Sequence, residues 1–294
     1  MQDGLLRVLA PNPSPMTEAG TNSYVLGAGR DVAVVDPGPD DSAHRTALMA
    51  AVAGRTVRAI VVTHPHLDHS QGAAALGRAT GARVHAFGPA GTGRSATMRQ
   101  LARTAPALAG GEGVDGAFRP DVALADGATL SGDGWTLRAH WTPGHMSPHL
   151  TLVWREGDAA FTGDTVMGWA STMISPPDGD VGQFLSSMDR MAGLGVARFL
   201  PGHGAPVEDP AARCRDLRDH RLAREAAILA AIPSGGGRGG GTDIAGIVGT
   251  VYGDTPAALR PAAARNVLAH LIRLVEHGRV RADRLAPDGT YVRT

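Results

Sequence analysis

Lysine is absent from this sequence. All 28 basic residues are arginine, balanced by 28 acidic residues to a formal net charge of zero. A protein that holds nucleic acid mainly through a global positive field is therefore not expected. The arginine-only usage, with its excess of alanine and glycine, reads as coding bias rather than mechanism. A single cysteine, Cys214, excludes an intramolecular disulfide and any cysteine-rich zinc site. It lies in a charged helical stretch, where a lone cysteine is usually a small packing residue and not a nucleophile. Aromatic residues make up only 4% of the chain, and no RNA-module aromatic motif is present. No apolar run is long enough to span a membrane. The opening MQDGLLRVLAPNPSPM lacks the apolar stretch of a signal peptide. A cytoplasmic protein with no membrane partner is the expectation. Any metal chemistry must rest on carboxylates and on the 12 histidines.

With 294 residues, 43% hydrophobic and 19% charged, the chain can bury one large core, or one large core and a small one. Short β-rich runs predict strands at Asn22–Gly27, Arg30–Asp36, Arg58–Thr63, Arg83–Phe87, Trp135–Trp141, Leu150–Trp154, Ala159–Thr162 and Arg198–Leu200. Helical patterns fall between them at Ser42–Val52, Gln71–Thr80 and Val181–Ala192, which makes an α/β domain. Ala90–Ala117 is less regular, with a helical patch at Met98–Leu108; it reads either as a solvated loop or as a lid beside a site. Near Pro210 the charge balance turns. Residues 1–210 carry 15 arginines and 20 acidic residues, and the remainder carries 13 and 8. Two domains are expected, 1–210 and 211–294. In the second, helices are predicted at Ala211–Ile232, Thr242–Tyr252 and Pro261–His277, with the glycine-rich run Gly235–Gly241 as a flexible loop. Val280–Leu285 and Thr290–Arg293 flank a turn at Pro287-Asp288-Gly289. Three helices and a hairpin are the element order of a winged helix.

The chemistry is concentrated at the end of the Arg58–Thr63 strand, in Thr63-His64-Pro65-His66-Leu67-Asp68-His69. One core rarely satisfies three neighbouring imidazoles without a ligand, and α/β proteins place their sites at the carboxyl ends of strands. Three further motifs repeat one design, an apolar strand, a glycine turn and one ligand: Thr142-Pro143-Gly144-His145, Phe161-Thr162-Gly163-Asp164 and Pro201-Gly202-His203-Gly204. Imidazole and carboxylate suit zinc, and iron or manganese would accept the same donors.

These four motifs together resemble the metallo-β-lactamase superfamily, from about Pro13 to Val207. The resemblance implies an αββα sandwich with the site along one edge. It implies two Zn2+ per chain, one held by His64, His66 and His145, the other by Asp68, His69 and His203, with Asp164 bridging both. Asp68 and Asp164 would position a bridging hydroxide for hydrolysis, with no serine or cysteine nucleophile. Asp36 resembles a family aspartate that orients a ligand histidine, though an aspartate before Pro-Gly also makes a turn. His149 would support the site or pack beside it. Thr21-Asn22 reads as structural or as pocket rim.

Among branches of the superfamily, exported β-lactamases do not fit the opening residues. Branches with a large inserted domain or an appended flavin domain need more sequence than is here. The run from Asn12 to Tyr24 and the winged-helix order of the tail resemble the lactamase-β-like protein 2 group, whose best-described activity is single-stranded RNA endoribonuclease. Glyoxalase II enzymes share the metal motifs but carry a different helical tail. The expected activity is hydrolysis of an ester or thioester, in the manner of hydroxyacylglutathione hydrolases and acyl thioesterases. An endoribonuclease is the second reading, and a lactonase or a non-enzymatic DNA-binding regulator stand behind it. Trp169, Met173 and Phe184 are candidates for an apolar acyl pocket or for core. The choice between monomer and homodimer stays open.

Overall fold

In the computed structural model, which describes residues 4–108, 113–234 and 241–294, eleven strands form two stacked sheets. The first sheet runs in chain order: β1 (Leu5–Leu9), β2 (Asn22–Leu26), β3 (Asp31–Val35), β4 (Thr56–Val61), β5 (Val84–Ala86) and β6 (Val122–Ala123). It is antiparallel as far as β3 and parallel beyond. The second sheet holds β7 (Thr129–Gly132), β8 (Trp135–Trp141), β9 (Leu150–Trp154), β10 (Ala159–Gly163) and β11 (Arg198–Pro201), antiparallel except for the β10–β11 pair.

Alternation along the strands builds the layers. On β3, Ala33 and Val35 face the second sheet, where they meet Leu137, Leu152 and Phe161. Val32 and Val34 face away, toward Leu48 of α1 (Ser42–Ala51) and Leu76 of α3 (Ala73–Thr80). Between these helices lies α2 (Leu67–Ser70), a single helical turn. On the far side, Ala160 and Phe199 pack against Phe184 and Met188 of α5 (Val181–Ala192). The result is the expected αββα sandwich. Asp41 and Asp180 cap α1 and α5, each accepting from a backbone N–H three residues on.

Sequence patterning did not announce β1, β6 or β7. Each is a short edge or near-edge strand, and β7 (TLSG) alternates between exposed and half-buried residues without a strong apolar face. Of the described residues in the irregular stretch at 90–117, Val114 lies beside the candidate site, bridged to His66, and part of the rest is helical. Ser95 caps α4 (Ala96–Thr104), and Met98 and Leu101 of that helix are buried in the core of the C-terminal part.

That part consists of α6 (Pro210–Ala231), α7 (Ile244–Val251), α8 (Arg260–Glu276) and a hairpin of β12 (Val280–Ala282) and β13 (Tyr291–Arg293), the winged-helix order. Apart from Gly241, the glycine-rich run at 235–241 lies outside the described residues. The long α6 belongs to two cores at once. Cys214 and Leu217 join the α5 cluster, whereas Ile228 joins Val267 and Leu271 of α8. Cys214 is a packing residue, and burial pushes its thiol up to about 12. No helix among the described residues is long and apolar enough to cross a membrane.

Candidate metal centre

Five strands deliver the site at one edge of the sandwich. The residue after β3 is Asp36, β4 leads into His64, and β8, β10 and β11 lead into His145, Asp164 and His203. The single turn α2 carries Asp68 and His69. The structure brings all seven candidate ligands together in two adjoining groups: His64, His66, His145 and Asp164, and Asp68, His69 and His203.

In the first group, His64 Nε2 and His145 Nε2 each lie 3.1 Å from His66 Nδ1. In the second, His69 Nε2 lies 3.3 Å from His203 Nε2, with Asp68 Oδ2 3.2 Å from the latter. Asp164 stands between them. Its Oδ2 is 3.9 Å from His145 Nε2, while its Oδ1 is 3.3 Å from His69 Nε2 and 3.4 Å from His203 Nε2.

The groups behind the rings decide which nitrogens face inward. His145 Nδ1–H donates to the Met173 carbonyl at 2.8 Å, with Thr172 Oγ1 2.9 Å away. His69 Nδ1–H donates to Asp36 Oδ2 at 2.9 Å, and His203 Nδ1–H to the Gly20 carbonyl at 3.2 Å. Thr63 donates its hydroxyl to Asp36 Oδ2 at 2.7 Å, which leaves its oxygen to accept from His64 Nδ1–H at 3.0 Å. Four Nε2 lone pairs are thereby aimed into the centre, an assignment that follows from the hydrogen-bond partners.

Those lone pairs test the fit of a metal. Burial, joined by repulsion from neighbouring histidines, holds His64 and His145 below the ordinary histidine value and His66 at about 3. His66 Nδ1 has at most one proton to share between two Nε2 lone pairs at 3.1 Å, so one lone pair goes unmet unless a cation lies among them. Tetrahedral zinc with Zn–N bonds of about 2.0–2.1 Å separates its ligands by about 3.3–3.4 Å, close to the spacings found. The buried Asp164 Oδ1 also has no hydrogen-bond partner. In the second group burial again opposes charge, but Asp68 and Asp164 outweigh it, raising His69 and lifting His203 to about 10. A bound cation would take the place of those protons. His203 and His69 in turn hold Asp164 well below the carboxylate range despite its burial. The donor set fits two divalent ions.

Asp36 is buried in the left-handed region at φ 49° and uses both oxygens, Oδ1 accepting from Thr63 N–H at 2.7 Å. Its carboxylate reaches His69 directly and His64 through Thr63. His149 stacks on His64 at 5.0 Å between ring centres, with an angle of 29°. Thr21 donates to Asp68 Oδ2 at 3.2 Å, and Asn22 Nδ2 donates to the Pro201 and Gly204 carbonyls on either side of His203. A Cβ on Gly202 would stand 2.5 Å from His69 Cε1 and 2.6 Å from Asp164 Oδ1, so only glycine leaves the centre clear.

Above the ligands opens a cavity of about 200 Å3, lined by Met16, Thr17, Val114, Met173, Ser175 and Asp178. Of the three pocket candidates only Met173 lines it. Phe184 is buried in the cluster that α5 and α6 form on the outer side of the second sheet, and Trp169 is exposed beside Gly204.

The family description "Metallo-beta-lactamase superfamily" matches residues 16–203. The chain belongs to the metallo-beta-lactamase superfamily. A "Beta-lactamase associated winged helix domain" matches residues 244–286. A Drosophila melanogaster protein named "Beta-lactamase-like protein 2 homolog" is 28% identical over 99% of this chain and 94% of its own. The "Atrochrysone carboxyl ACP thioesterase" of Aspergillus fumigatus is 30% identical over 86% of this chain and 75% of its own. Among solved structures, a metallo-beta-lactamase family protein from Thermus thermophilus superposes with a TM-score of 0.77 at 27% identity, covering 99% of both chains. Membership in this superfamily makes the protein a hydrolase with a histidine–aspartate centre suited to metal.

Several contributors carry no signal in a single sequence. The Gly20 and Met173 carbonyls are backbone groups, and Thr172 lies in an irregular loop. Thr63 adjoins the motif but is unremarkable by type.

Proposed function

We propose that this protein is a di-zinc hydrolase of acyl esters or thioesters. His64, His66 and His145 would hold one ion, Asp68, His69 and His203 the other, and Asp164 would bridge them. When bound, the ions supply Lewis acidity that polarises a carbonyl and acidifies water. The chain's own residues do the rest. Asp36, Gly20 and Met173 fix the ring tautomers, Thr21 orients Asp68, and Met16, Val114 and Met173 keep the space above the ligands apolar.

The observation that carries the acyl reading is this cavity: small, with two methionines and a valine in its lining beside Thr17, Ser175 and Asp178. The arginines beside it are already committed, Arg94 to Asp178 and Arg265 to Ser175. Single-stranded RNA instead asks for a basic groove with aromatic platforms. The thioesterase among the relatives supports the same choice. A single-stranded RNA endoribonuclease is the second reading, favoured by the nearly full-length match to a beta-lactamase-like protein 2 homolog.

The deciding experiment loads the protein with zinc and offers, in parallel, a panel of acyl thioesters and a fluorescent single-stranded RNA. Thioester turnover that disappears with chelation and returns with zinc is expected. RNA cleavage without thioester turnover would replace the acyl reading with the nuclease one.

A further inference from the structure

Two arginines of the C-terminal part reach across to the wall of the metal centre. Arg221, on α6, is 2% exposed. Its Nη2 donates to the Thr172 carbonyl and its Nη1 to Asn266 Oδ1 at 2.7 Å, while the guanidinium carbon lies 5.6 Å from the centre of the Phe184 ring. Arg265, on α8, donates to Ser175 Oγ at 3.0 Å and to the Leu108 carbonyl at 3.4 Å. Both act on the stretch Thr172–Ser175. That stretch supplies both groups facing His145 Nδ1, namely Thr172 Oγ1 and the Met173 carbonyl.

A buried guanidinium is costly; here both Nη groups are met in fixed geometry and the Phe184 ring lies beside it, while Nε has no hydrogen-bond partner. Burial lowers the pKa of Arg221 to about 10, which leaves it charged at neutral pH. The oxygen it grips belongs to the Thr172–Met173 peptide. That unit is planar, so pinning its oxygen restricts where the next carbonyl, that of Met173, can point. Met173 O in turn sets the ring of His145.

The packing of α8 agrees. In a DNA-binding helix-turn-helix the second helix lies in the major groove. Here the second helix of the α7–α8 pair is turned inward. Ala269 is buried in the core shared with α5, Arg265 and Asn266 face the 172–175 loop and Arg221, and Arg273 pairs with Glu225.

We propose that the winged-helix tail is a positioning element of the hydrolase. Arg221 acts as a positioning residue for His145 through the Thr172–Met173 peptide, and Arg265 braces the same loop at Ser175. The inference rests on the reading of His145 as a ligand of one ion.

The test is cobalt(II) titration of the full-length, metal-free protein, followed by the d–d spectrum and by chelator competition. Wild type, Arg221→Met, Arg221→Lys and His145→Ala are compared, with near-UV circular dichroism to establish folding. In Arg221→Met the ion that His145→Ala loses should weaken about tenfold or more, the usual effect of removing an outer-shell partner, while the other ion holds its affinity. Arg221→Lys keeps the charge but lacks the planar fork with which two separate Nη groups reach the two oxygens. It should fall in between, and it carries the test alone if Arg221→Met does not fold. Unchanged affinities in a folded variant overturn the inference, as does equal weakening of both ions. A wild-type protein that takes up no cobalt sinks the ligand reading and this inference together. Two ions in wild type with unaltered variants sink the inference alone.

Discussion

Asp164 presents one carboxylate oxygen to each ligand group, so its loss reaches further than the loss of any one histidine. Asp164→Ala is expected to empty both positions, as read by elemental analysis after zinc loading; full metal with full activity would show that Asp164 is not the shared ligand. Gly202 makes a second test at this scale. A methyl there would intrude on His69 and Asp164 at contact distances no side chain tolerates. Gly202→Ala should keep the far-UV spectrum of the wild type and lose metal. A fully metallated Gly202→Ala protein would mean that the centre is roomier than the geometry indicates.

Among the elements, α6 decides most. Leu217 is 3% exposed and packs into the α5 cluster. Leu217→Ala should destabilise the protein by about 2–5 kcal/mol, the range for truncating a buried leucine, measured by denaturant unfolding. Farther along the helix, Glu225 pairs with Arg273 and faces His270 Nδ1 at 3.4 Å. Burial opposes its charge, but His270 and Arg273 outweigh burial and lower its pKa below the ordinary glutamate value. A depressed carboxylate contributes stability above its unfolded-state pKa and loses it as pH falls through the folded value. Glu225→Gln should therefore be less stable than wild type at pH 7, and the gap should close below about pH 4.3, the reference value for glutamate. A gap independent of pH would assign the effect to packing instead.

For the whole molecule, α6 and α8 cover the outer face of α5 and also build the C-terminal core. Cutting the chain after Val207 would strip Cys214, Leu217 and Ala269 from the apolar cluster around α5 and open its outer side to water, a patch of the kind that drives aggregation. The truncated protein is expected to be insoluble or aggregated in size-exclusion chromatography. A soluble, monomeric fragment with its metal intact would show that the tail is an independent module and that α6 is dispensable cover.

The strand ends and their ligands were legible because each motif is local: an apolar run, a glycine turn and one donor occupy a few consecutive residues. Trp135–Trp141, Leu150–Trp154 and Val181–Ala192 have the same ends in sequence pattern and structure, since a strong apolar period defines them. Edge strands such as β1 and β7 were not legible, because each has only one strand beside it and neither has a fully buried apolar face to set a strong period. Nor were the partners of the ligands. The Gly20 and Met173 carbonyls are chemically identical to any other backbone oxygen, and Arg221 looks like one of many arginines on a helix. By itself the sequence determined which residues are candidate donors, since residue type and strand-end position are local properties. Only the tertiary structure decided which nitrogen of each ring faces inward and which helix braces the loop behind His145. Hydrogen bonds between residues up to 183 positions apart exist only once the sheets have stacked and α6 has docked.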